Sequence, residues 1–135
     1  FMMITLLKYI GLFLIATFLG WFLIPFGILV AIIYFLIRLD GKMIHKYFGR
    51  LFYNTALCID MIGNYSCAIL FNLTLIKKNE RAYRFGKERE TISYALGKNV
   101  MANNLTWLGR MLNKILDFFE KDHSILTVHR EGTLN

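Results

Sequence analysis

The side chains best suited to chemistry in this chain do not fall into a catalytic or metal-binding spacing. His45, His123 and His129 lie on separate segments, whereas a zinc site draws its ligands from closely spaced pairs. Glu88 and Glu90 are near neighbours, but no second acidic pair accompanies them to divide the roles of acid and base. Gly97-Lys98 lacks the preceding glycines with which a phosphate loop wraps its anion. Ser93 has no histidine close to it in sequence, so a capping or packing role suits it better than that of a nucleophile. Cys58 and Cys67 match neither a redox CxxC nor a zinc pattern and read as two buried free thiols. The expectation is a non-enzymatic protein with no catalytic residues, no cofactor and no metal.

Two short patterns point to structure instead. Asp60 and Asn64 are four apart and share one helix face, where they can either hydrogen-bond a neighbouring loop or form a solvated stripe. Thr91 precedes Ile92-Ser93-Tyr94-Ala95-Leu96 and is placed to cap a short helical turn that Gly97 ends.

The elements that must position these residues begin with a membrane-like segment. The chain has 135 residues, 56% of them hydrophobic and 16% aromatic, with a mean hydropathy of +0.47, more apolar than a soluble globular domain. No charge occurs from Tyr9 to Ile37. As one helix that run extends about 44 Å at 1.5 Å per residue, against a hydrocarbon core of about 30 Å. Pro25 falls inside it, and proline removes a donor and clashes with the preceding turn. Two topologies fit: a tilted, kinked helix that crosses once, or a re-entrant hairpin turning at Pro25. The single crossing is favoured, because the arm after Pro25 is only about 18 Å long as a helix. The run is also too long for the apolar part of a typical signal peptide and lacks a small-x-small cleavage pattern.

Of sixteen Lys and Arg, only Lys8 precedes this run. Arg38, Lys42, Lys46 and Arg50 follow it closely and place the C-terminal part in the cytoplasm. The remaining basic residues are spread and balanced by acids, which argues against a nucleic-acid partner despite a net charge of +7.

Beyond residues 1–39, apolar positions at helical spacing predict amphipathic helices over 40–76 and 100–123. Residues 77–99 read as a charged loop with its Thr-Ile-Ser turn, and 124–135 as a loosely held polar tail. The stretch 51–76 holds one charge, Asp60, and is the alternative second span. Asn54, Asp60, Asn64 and Asn72 weigh against it, since an aspartate at the bilayer centre costs about 2.5–3.5 kcal/mol.

Asp60, Asn64, Phe85-Gly86, Glu90-Thr91-Ile92-Ser93, Leu96-Gly97-Lys98, Leu116-Asp117 and His123 together resemble small membrane-associated proteins of tailed bacteriophages and prophages. Those proteins carry a His-Cys pair where this chain has His123-Ser124. The resemblance covers about residues 54–125 and implies a phage origin, with no activity to transfer. The expected architecture is all-α and membrane-anchored, with Pro25, Asp60, Asn64, Thr91, Ser93, Gly97 and Lys98 as structural or interaction positions. The expected partners are the lipid bilayer and a second copy or another phage or host membrane protein, at the bacterial inner membrane or in the virion. Genome delivery fits such a protein; superinfection exclusion or holin-like control of lysis is the alternative.

Overall fold

The computed structural model describes residues 2–38 and 41–132 and is all-helical, with 80% of the chain in helices. The elements are α1 (Met2–Arg38), α2 (Gly41–Ser66), α3 (Ala68–Thr74), α4 (Ile92–Met101), α5 (Trp107–Phe119) and α6 (His123–Gly132). Extended pairing among the described residues is confined to a single antiparallel bridge between Ile76 and Leu105. The chain divides into two compact units, Phe1–Arg50 and Leu51–Asn135. The boundary falls within α2.

In the first unit α1 is long and apolar enough to cross a membrane, and only 6% of its apolar window is buried. A core helix of a soluble protein would be mostly covered. Near its end, Phe35 is buried and packs against Tyr47 and Phe48 of α2, with ring centroids 5.2 and 6.3 Å away. Arg38 closes the helix over the Tyr34 ring at 5.3 Å, a cation at the negative end of the helix dipole. Pro25 lies inside α1, which remains helical on both sides. The hairpin alternative therefore has no counterpart in the structure. A continuous helix forgoes about one backbone bond at proline, whereas a turn would strand several polar groups.

In the second unit Leu75, Ile76, Phe85, Ala95, Leu96 and Leu105 form the core. α2 and α3 meet at a 73° bend beside Cys67 and together also pass as a broken apolar span by length and composition. α4 differs from the short turn expected: it continues through Gly97 to Met101. A Cβ at Gly97 would collide with the Ser124 carbonyl oxygen and lie 2.7 Å from Val128 Cγ2. The glycine is thus a contact surface, letting α6 lie directly against α4. α4 ends instead at Asn103 in the left-handed region (φ 50°), with Asn103 N–H donating to Val100 O and Asn104 N–H to Asn99 O, the Schellman arrangement.

The segment from 124 onward is likewise no loose tail. Through Gly132 it forms α6, whose Ser124, Thr127 and Val128 are buried; residues 133–135 lie outside the described residues. Of its few apolar positions, Val128 lies on the side that meets Gly97. Both cysteines are free, yet Cys58 is exposed and Cys67 half-buried. The expectation of two buried thiols is corrected, because Cys58 lies on a side of α2 that no other element of its unit covers.

Candidate functional site

The charged loop between α3 and α4 has no regular structure, so its backbone groups need other partners. Asparagine side chains supply them. Asn72 of α3 accepts from Phe85 N–H at 2.8 Å and donates to Phe85 O at 3.1 Å. Asn99 of α4 does the same to Tyr83, at 3.0 and 2.7 Å. Asn64 of α2 accepts from Gly86 N–H at 3.0 Å and donates to Glu90 O at 2.9 Å. A primary amide carries a donor and an acceptor side by side, so Asn72 and Asn99 each imitate one rung of a β-ladder, while Asn64 ties together two points of the loop four residues apart. Gly86, at φ +94°, brings the loop against Ala68 and Asn64, where a Cβ would meet Ala68 Cβ at 2.7 Å.

The Asn99 amide is completely used. It also donates to Ala95 O and accepts from Asn104 Nδ2, and Asn104 in turn accepts from Asn79. Tyr83 is held from several sides. Its hydroxyl donates to Glu90 Oε1, and Lys87 Nζ sits 3.7 Å from its ring centroid. Burial first, then the Glu90 hydrogen bond, holds the phenol well above its ordinary pKa.

Asp60 and Ser93 meet at the start of α4. Asp60 accepts from Ile92 N–H at 3.2 Å, Ser93 N–H at 3.4 Å and Ser93 Oγ at 2.8 Å. Thr91 is the N-cap, accepting from Tyr94 N–H at 3.0 Å while donating to Glu131 Oε1 of α6 at 2.8 Å. The opening N–H groups of α4 are thereby satisfied, and a carboxylate lies at the positive end of its dipole. Lys98 places its ammonium 5.4 Å from the Tyr94 ring centroid, one turn earlier on α4. Five of the residues singled out in the sequence, Asp60, Asn64, Thr91, Ser93 and Gly97, therefore serve one junction of α2, α4, α6 and the loop. Lys98 stands beside it, and Pro25 belongs to the other unit.

Burial holds the Glu131 carboxyl above the usual range, and the negative Asp60 and Glu90 add to this against the Thr91 hydrogen bond. The folded state then binds the proton more tightly than the unfolded state. Stability falls as pH rises from the ordinary carboxyl pKa through the raised folded one. Glu131→Gln keeps the acceptor for Thr91 and carries no charge, so thermal melts should show it more stable than the parent at neutral pH and free of this pH-dependent loss. Glu120 shifts the opposite way. His123 Nδ1 at 2.7 Å, first, and Arg130 at 2.9 Å hold its carboxyl below the usual range. Its contribution is present above the ordinary carboxyl pKa and is lost as pH falls through the lowered one.

A cavity of about 370 Å³ adjoins the junction, lined in part by Tyr53, Leu57, Asp60, Ser93, His123 and Glu131. A serine, a histidine and an aspartate share it without forming a nucleophile relay. Ser93 donates directly to Asp60, and His123 bonds to Glu120, whereas the relay needs the imidazole between the hydroxyl and the acid. Among the described residues no three or more His, Cys, Asp or Glu side chains converge as a metal site would require.

The sequence reading missed Asn99, Asn104 and Glu131 and treated Asn72 only as an obstacle to a membrane span. The available signal was asparagine recurring inside otherwise apolar helices, where an unpaired amide costs about 1–3 kcal/mol and a partner is therefore demanded. No family model, curated protein or solved structure matches the chain.

Proposed function

We propose that this is a phage-encoded, non-enzymatic integral membrane protein. In this reading α1 crosses the bacterial inner membrane, and the helical unit beyond it serves as a docking and assembly module on the cytoplasmic side, self-associating or joining a larger virion or host-membrane assembly such as one for genome delivery. The observation that carries the proposal is the nearly complete exposure of α1's apolar surface. At about 25 cal/mol per Å² that surface has a strong drive to leave water, and lipid satisfies it. The positive residues after α1 favour the cytoplasmic orientation. The polar side chains of the second unit support a non-enzymatic role, because they are spent on holding its own backbone.

The bent pair α2–α3 is read as lying outside the hydrocarbon core. Its Asn64 and Asn72 grip a loop carrying Arg84, Lys87 and Arg89 while its Asp60 holds the start of α4, and a span would drag those charges inward. Mass spectrometry of purified particles tests the assembly reading, which expects the chain among the virion proteins. Absence from particles, together with protection from phage or altered lysis timing on expression alone, would establish the regulator alternative instead.

A further inference from the structure

α5 presents two contrasting sides within the second unit. Gly109, Leu112 and Leu116 face the core. The outer side carries, in angular order, Trp107, Phe118, Met111, Ile115, Leu108 and Phe119, an arc of about 120° at 100° per residue. Phe118 is 85% exposed, Phe119 81% and Trp107 67%, values that leave these rings uncovered by the described residues of the second unit. Beside Trp107 the next positions around the helix are Lys114 and Arg110, both exposed. Neither takes part in an ion pair among the described residues. The one acid of the helix, Asp117, follows Arg110 around the helix, about 20° further from the arc, and is bonded to Asn113. Lys121 follows just beyond the helix end, also exposed.

We infer that α5 is an interfacial helix whose aromatic arc enters the headgroup–acyl boundary of a bilayer, with Lys114 and Arg110 pairing with anionic phospholipid headgroups. A shallow apolar arc edged by cations, with tryptophan at the edge, is the pattern of helices that lie in a membrane interface. Charge favours lipid over a second copy of the same face: antiparallel pairing about a two-fold axis would lay one cationic border against the other. The inference rests on the membrane reading of α1, which tethers α5 near a bilayer and removes most of the entropic cost of docking.

The test uses the full chain with Trp21→Phe, leaving Trp107 as the sole tryptophan. It is reconstituted in phosphatidylcholine vesicles with or without phosphatidylglycerol, the acyl chains brominated close to the headgroup. Expected is strong quenching of Trp107 by the brominated lipid in the phosphatidylglycerol vesicles, weakened by salt. Arg110→Gln with Lys114→Gln should lower the docking equilibrium roughly thirtyfold, about fivefold per cation, with helical content unchanged. Phe118→Ser should weaken docking in both lipids. Trp107 open to aqueous acrylamide in both lipids, in a protein that resists alkaline extraction, would overturn the inference and leave the anchor intact. Shielding that grows with the protein-to-lipid ratio without bromolipid quenching would overturn it in favour of a second copy. Release of the whole chain by alkali would overturn both readings.

Discussion

Asn99→Asp is expected to dismantle the second unit, although it changes the shape of the side chain hardly at all. The aspartate retains the acceptors for Tyr83 N–H and Asn104 but loses both donors, and it turns an oxygen toward the carbonyls of Tyr83 and Ala95. Asn99 is fully buried, so a carboxylate there is uncompensated and costs about 3–5 kcal/mol. That is a large share of the roughly 5–15 kcal/mol that holds a typical domain. Hydrogen exchange on the full chain in mild detergent should show protection lost across Tyr83 to Phe85, α4 and α6, while α1 stays protected. The loss should shrink as pH falls and the aspartate regains a donor. Asn54→Asp, on an exposed position of α2, should change stability by no more than about 0.5 kcal/mol.

Gly97→Ala acts through space rather than polarity. The added methyl meets the backbone of Ser124, which cannot rotate away as a side chain would, and the Val128 side chain behind it. The cost is about 3 kcal/mol, the upper end of overpacking. Because Thr91 and Glu131 join the same two helices, α6 should lose protection first and the α4 N-terminus next. Gly49→Ala offers the contrast: nothing lies within 4 Å of a Cβ there, and alanine in an open helix position gains about 1 kcal/mol over glycine. A melt in which both alanine variants behave alike would remove Gly97 from its role as the α4–α6 contact.

The two substitutions also mark where the sequence was legible. The uncharged run before Arg38 and the helical spacing of apolar positions reveal an all-helical chain with a segment able to cross a membrane, because hydropathy and period are local properties. Asp60 and Asn64 share a face by simple helix geometry, and Thr91 is recognisable as a cap from the residues that follow it. Their partners were not legible. That Asp60 closes the N-terminus of α4, more than thirty positions away, depends on how the loop returns. Gly97 looks like a helix terminator when read alone; only the arrival of Ser124 from α6 explains why the helix runs on. α6 itself has few apolar residues, and its order comes from a narrow buried strip and from hydrogen bonds to Thr91 and Glu120 rather than from any strong periodicity. The asparagines stand out inside apolar helices as amides that need partners, but which distant backbone each one grips was not legible, for the same reason.

In the proposed function α1 inserts into a membrane and the protein works there as part of an assembly. Native mass spectrometry of the full chain, extracted from membranes in mild detergent, tests this most directly. The account predicts a defined complex, either several copies of the chain or the chain with another membrane protein, recovered only after detergent extraction. A single monodisperse monomer, or recovery of the chain in the soluble fraction without detergent, would contradict it.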